Sequence, residues 1–216
     1  NAALNYYDLI RSPSLKWRKE DLLLTGQENL SNAQGMGKGV IIATAHLGSI
    51  NLFLKLMELH SYELLVLVEK LRHKATSDYS NAKRSAVGIT TRTTSVEGLK
   101  HTLRQLRNRG WVLITCDRAV QGTGIKFPFM GEETIMPTGA IELALRTGAP
   151  IVPAFGVRMG TEKAKFFFDP PILLDGQSED AFRHNGTSSV VKSMEGYIRR
   201  FPEQWVVFSP VWTGKQ

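Results

Sequence analysis

The chain has 216 residues, 42% of them hydrophobic and 22% charged, the proportions of a globular domain able to bury a sizeable core. Its formal net charge of +7 favours anionic partners such as nucleic acid, anionic lipid headgroups or phosphate-bearing cofactors. A single cysteine, Cys116, excludes an internal disulfide and suits a reducing compartment, and no apolar run reaches the about 20 residues that a spanning helix needs.

No secretory signal is visible, and the chain opens on Asn1 rather than Met, as it would after removal of an upstream anchor or signal. No repeat, low-complexity tract or Pro/Ser-rich linker divides the sequence, so residues 1–216 read as one domain. Residues 1–30 form its N-terminal helical segment, with a helix broken near Pro13 and a short strand after it. The mixture of Tyr6, Tyr7, Leu9, Ile10, Trp17, Arg18 and Lys19 suits a membrane interface, and equally a helix packed on the domain.

The stretch "ENLSNAQGMGKG" predicts a short helix and a glycine-rich turn. "GVIIATA" is a continuous β-branched run, the mark of a strand buried on both faces. Helical spacing of Leu52, Phe53, Leu56, Met57 and Leu59 follows, with Ser49 as the expected N-cap. "ELLVLVEK" predicts a second buried strand, "KATSDYSNAKRSAVG" a helix, "ITTRTT" an edge strand, and "VEGLKHTLRQLRNRG" an amphipathic helix stopped by Gly110. A third buried strand, "WVLITCD", leads to "GTGIKFPFMG", read as a loop whose Phe127, Phe129 and Met130 are candidates for lining an apolar groove or for the core. "PTGAIELALRTGA" is a helix with Pro137 near its start and Gly148 at its end. Two strands, "PIVPAFGVRM" and "KAKFFFDPPILL", and a long helix then precede the closing "EQWVVFSPVW". Strands alternating with helices predict an α/β domain with a mixed, mostly parallel central sheet flanked by helices.

Ligands of such sheets bind beyond the carboxyl ends of the strands, and His46 and Asp117 both stand at such ends. A histidine fixed by a buried strand, with a glycine turn into a helix behind it, is well placed as a general base. Gly48 would let a substrate approach closely, and the first amides of the helix would hold an oxyanion. A histidine that merely bonds a loop would look the same. Cys116 lies inside an apolar strand beside Asp117, where its thiol is held protonated, so it reads as structural.

"GKGVIIATAHLGSIN" resembles the signature block of the bacterial lipid A biosynthesis (lauroyl/myristoyl) acyltransferase family, in which a histidine and four intervening residues precede an acid. The resemblance continues through "CDRAVQGTGIKFPFMGEETIMPTGAIELALRTGAPIVPAFGVR" and "FPEQWVVFSPVW", so it covers nearly the whole chain. Its phosphatidylinositol mannoside acyltransferase members are closest in look. The resemblance implies a glycerolipid-acyltransferase-like fold. It also implies transfer of a fatty acyl chain from acyl-CoA or acyl-carrier protein to a hydroxyl of a membrane glycolipid or phospholipid. His46 would be the base, with no acyl-enzyme, no cofactor and no metal. It further implies a peripheral protein on the cytoplasmic face of a bacterial inner membrane.

The departure from the pattern is Asn51, which stands where the family carries its acid. An amide can orient an imidazole but cannot stabilise its charged form. Asp117 is therefore the expected substitute, with Glu69 as the runner-up, and a catalytically impaired acyl- or lipid-binding homologue is the alternative. Arg84, Arg118, Lys126 and Arg158 are the candidate binders of the anionic ends of donor and acceptor, beside Gly48, Ser49 and Glu69. A nucleic-acid partner is not expected, since no recognition helix or aromatic RNA-binding block occurs. No G-x-S-x-G elbow points to a serine hydrolase either.

Overall fold

A computed structural model describes residues 2–11, 18–48, 50–59, 63–69, 74–86, 88–119, 123–160 and 163–212. The predicted break near Pro13, the Trp17 side chain and the Ser49 cap fall outside them. In chain order the elements are α1 (Ala2–Arg11), β1 (Leu22–Thr25), α2 (Gln27–Gly35), β2 (Val40–Thr44), α3 (Ile50–Leu59), β3 (Leu64–Val68), α4 (Lys74–Ser85), β4 (Thr90–Thr93), α5 (Val96–Arg107) and β5 (Trp111–Thr115). They continue with β6 (Ile125–Phe129), β7 (Glu132–Met136), α6 (Gly139–Thr147), β8 (Ile151–Arg158), β9 (Ala164–Phe168) and α7 (Glu179–Arg200).

Seven strands form one sheet in the order β1-β9-β8-β2-β5-β3-β4. Every neighbouring pair in it is parallel except β8 with β9. The mixed, mostly parallel sheet flanked by helices is thus the architecture the alternating pattern predicts. Among the described residues, no helix is long and apolar enough to cross a membrane.

The apolar runs explain where the core sits. Successive side chains of a strand face opposite ways, so β2 divides its residues between two layers. Ile41 and Ala43 join α6 and α7 through Ile141, Phe182 and Met194. Val40 and Ile42 join α2 and α3 through Leu30, Phe53 and Met57. All five residues of β2 are buried, which is why the run lacks the alternation of a half-exposed strand. The strand that leads into the site is therefore enclosed along its whole length.

One element differs from its sequence reading. Residues 125–136 form a two-stranded antiparallel hairpin, β6 with β7, rather than a loop. Its turn has Met130 at a φ of 56° and Gly131 at 94°. Phe129 is fully buried, edge-on to Trp205 and stacked with Trp212 at ring distances of 5.9 and 6.1 Å. It belongs to the core and lines no groove.

Truncating Ile42 to alanine opens a hole in the middle of a sheet that cannot collapse around it. Ile42→Ala should cost about 2–5 kcal/mol, read as a lower urea midpoint at an unchanged denaturant slope.

Candidate active site

β2 and β5 run side by side, Thr44 opposite Thr115, and so deliver His46 and Asp117 to the same edge of the sheet. The Cys116 amide continues the ladder, donating to the Thr44 carbonyl at 2.7 Å. Asp117 is fully buried. Its Oδ2 accepts the His46 backbone N–H at 2.8 Å and the Trp205 indole N–H at 2.9 Å, and its Oδ1 lies 2.8 Å from His46 Nδ1. With Oδ1 accepting, Nδ1 carries the proton and Nε2 is left as the basic nitrogen.

The electrostatics of the pair agree with this geometry. Burial by itself would raise the Asp117 pKa. The His46 charge and the N–H groups of His46 and Trp205 outweigh it and hold the carboxyl below its ordinary 3.8. Burial likewise pulls His46 down, but the Asp117 charge and hydrogen bond prevail and hold the imidazole above 6.5. Beside them, burial and the Asp117 charge push the Cys116 thiol up to about 12, so it offers no thiolate nucleophile.

The closing segment locks the pair in place. The His46 carbonyl accepts the Val206 N–H at 2.9 Å, and the Gly48 N–H donates to the Gln204 carbonyl at 2.9 Å. The Gln204 side chain grips the end of β8, accepting the Arg158 N–H at 2.8 Å and donating to its carbonyl at 3.2 Å. Trp205 then reaches Asp117. Neither Gln204 nor Trp205 was singled out from the sequence. The "FPEQW" resemblance was the available signal, but no local pattern ties an indole to an acid 88 residues away.

Several of the candidate residues have other duties. Asn51 is buried and donates its amide to the Asn5 carbonyl of α1 at 3.1 Å, so it fastens a helix instead of orienting the imidazole. Gly48, at a φ of 62°, crosses β8 so closely that a Cβ would lie 2.0 Å from the Gly156 carbonyl oxygen. Its small size serves chain crossing, not substrate approach. Arg158 is buried in an ion pair with Asp8, and Lys126 is exposed on the hairpin, 3.6 Å from Glu133. Ser49 lies outside the described residues.

Glu69, Arg84 and Arg118 do meet near His46. All four line a cavity of about 490 Å³ with Leu54, Val66 and Ile114, closed on one side by Pro137, Thr138 and Gly139 at the start of α6. Arg118 is paired with Glu69, and the hydrogen bond of the imidazole goes to Asp117 rather than to Glu69. Arg84 is different: its Nε is buried without a hydrogen-bond partner, and burial holds its pKa below the usual arginine range. From α4, Ser77, Ser80 and Asn81 add polar groups that the sequence reading did not single out.

The site is thus a His–Asp pair at the edge of a mostly parallel α/β sheet, with the histidine lining a partly apolar cavity. The profile of the bacterial lipid A biosynthesis acyltransferases matches residues 8–213, and the chain belongs to that family. Two phosphatidylinositol mannoside acyltransferases of Mycobacterium tuberculosis, strains CDC 1551/Oshkosh and ATCC 25618/H37Rv, are each 24% identical over 213 residues, 95% of this chain. The chain spans 66% of the length of these relatives. A solved structure, the 1-acyl-sn-glycerophosphate acyltransferase PlsC from Thermotoga maritima, aligns with a TM-score of 0.46 at 17% identity, covering 85% of this chain and 72% of that one.

Trp205→Phe removes one donor from a buried carboxylate and should cost about 1–3 kcal/mol. The sign of its pH dependence follows. The indole favours the charged form, so without it the folded pKa of Asp117 rises towards 3.8. The stability that depends on the depressed value is then lost at a higher pH as the solution is acidified. Acid titration of the variant by circular dichroism should show its midpoint displaced upward.

Proposed function

We propose that this chain transfers a fatty acyl group from a thioester, acyl-CoA or acyl-carrier protein, to a hydroxyl of a membrane glycolipid or phospholipid. The observation that carries the reading is the His46–Asp117 pair, whose histidine lines the cavity, with Nδ1 engaged and Nε2 left as the base. The acceptor hydroxyl gives its proton to Nε2 as its oxygen attacks the thioester carbonyl. The tetrahedral adduct then expels the thiolate, which takes the proton back from the imidazolium. Asp117 keeps the ring oriented and stabilises its charged form during the step. No acyl-enzyme is formed, and the thioester is the only activated reactant required.

Within the cavity, the apolar walls from Leu54, Val66 and Ile114 suit an acyl chain. Arg84, whose guanidinium has an unpartnered buried nitrogen, suits an anionic group of donor or acceptor. Asn51 gave the reason to weigh a catalytically impaired homologue. With Asp117 on the imidazole, an amide at position 51 takes no charge away from the base.

His46→Ala should lower transfer by about 10²–10⁴-fold, and Asp117→Asn by a comparable factor, in an assay that follows lipid products by mass spectrometry. Full activity in His46→Ala would overturn the reading. Asn51→Asp should leave transfer no higher than wild type, because a new carboxylate would face the Asn5 carbonyl and not the imidazole.

The base works when neutral, so kcat/KM should rise with pH through the His46 pKa. The acid limb should inflect above 6.5, because Asp117 holds the proton on the ring. In Asp117→Asn the residual activity should inflect at lower pH, since burial then acts on the imidazole without the compensating charge. An inflection that does not move would remove Asp117 from the role.

A further inference from the structure

The turn that carries His46 is anchored at both of its ends. At its start the closing segment holds it: the His46 carbonyl accepts from Val206, Leu47 bridges to Trp205, and the Gly48 amide donates to the Gln204 carbonyl. At its far end the anchor is α1. Asn51, buried in the first turn of α3, donates its amide to the Asn5 carbonyl at 3.1 Å. α1 also reaches the start of the turn. Asp8 forms a buried ion pair with Arg158, whose guanidinium donates to the Leu4 carbonyl at 3.2 Å. The Arg158 backbone is gripped at its N–H and its carbonyl by Gln204, the residue whose own carbonyl holds Gly48. Two routes thus lead from α1 to the turn, one direct and one through Arg158 and Gln204.

The chemistry of this seam favours placement over strength. Taking an ion pair out of water is costly, and replacing one by apolar side chains of similar volume is often neutral or stabilising. Asn5 Oδ1, Asn51 Oδ1 and Arg158 Nε are also buried here without hydrogen-bond partners, each at a desolvation cost. A hydrogen bond keeps its value only over a narrow range of distance and angle. Such a seam therefore fixes the position of α1 against the turn, where an apolar one would let the helix slide.

We propose that Asn51 and the Asp8–Arg158 pair are positioning residues, through which α1 holds the turn that presents His46 to Asp117. This rests on the general-base reading above and adds which distant groups the base depends on. The imidazole itself bonds Asp117, and none of the three lines the cavity. They act by leaving the turn little slack. The His46 N–H and Nδ1 each lie 2.8 Å from an oxygen of one fully buried carboxylate, so a shift of the turn loosens both contacts together. Misplacing a reacting group by about 1 Å costs on the order of a hundredfold in rate. Asn51 thereby has a use at the position where the resemblance expects an acid, as a latch and not as a charge.

The test compares Asp8→Asn and Asn51→Ala with the wild-type chain in two ways. One is NMR titration of the His46 imidazole, assigned with His46→Ala; the other is turnover of a short-chain acyl thioester. Both variants should lower kcat about tenfold or more while KM stays within about twofold. His46 should titrate at lower pH than in wild type, because a ring that drifts from Asp117 loses the charge that holds its pKa up. Leu106→Ala is the control for lost stability. Leu106 is buried on α5, and its carbonyl accepts the Gly39 N–H at the other end of β2 from His46. That variant should lower the thermal midpoint and leave the His46 titration where it is. Should Asp8→Asn fail to fold, Asn51→Ala decides alone, since it gives up one hydrogen bond and leaves the ion pair in place. A lowered titration in a chain that turns over no thioester upholds the positioning and overturns only the acyl-transfer reading. Three results overturn the positioning: an unmoved titration in either folded variant, an equal shift in Leu106→Ala, or a loss of turnover confined to KM.

Discussion

A carboxylate without access to water is the constraint around which this protein is organised. Asp117 is fully buried and stays ionised only because three N–H groups point at it. Those groups come from two places, the turn after β2 and the segment after α7. If either is absent, the charge is left in a medium that cannot solvate it, at a cost of several kcal/mol. The geometry that suits the imidazole for base chemistry and the geometry that makes the core tolerable are thus the same geometry. Stability and reactivity are joined at one side chain.

The surrounding residues follow from that joint. β2 is apolar on both faces because it must hold His46 still, and its neighbours β5 and β8 bring Asp117 and Arg158 to the same edge. Gly48 is small because the chain must pass over β8 immediately after the histidine. Gln204 satisfies the backbone at the end of β8 while its own carbonyl holds the Gly48 amide. Cys116, one residue from the acid, is silenced by its burial together with the same charge that raises the imidazole.

Much of the fold was legible in the sequence, for plain reasons. Unbroken runs such as "GVIIATA" and "WVLITC" have one stable use in a chain of this composition, the middle of a mostly parallel sheet. The hairpin at residues 125–136 was missed because its apolar residues, Phe127 and Phe129, are separated by Pro128, which argues against a strand except at an edge. Of the site, the His46–Asp117 meeting was readable, since both residues end buried strands. The diversion of Asn51 to α1 was not, because the partner is a backbone carbonyl 46 residues earlier that leaves no trace in side-chain identity. The cations divided on the same ground. Whether an arginine ends in a cavity, as Arg84 does, or in an ion pair, as Arg158 does, depends on tertiary neighbours and not on its own surroundings in the chain.

The bond from Trp205 to Asp117 has a consequence for how the molecule comes together. Its two ends are 88 residues apart, and the acid is itself 71 residues from the histidine it serves. Contacts of such long range form late, because the intervening chain must first be ordered. During synthesis, β2 and β5 can pair as soon as both have left the ribosome, yet the acid between them waits for an indole still to be translated. Until that segment arrives, water rather than the indole solvates the carboxylate. A working imidazole is among the last things this chain acquires.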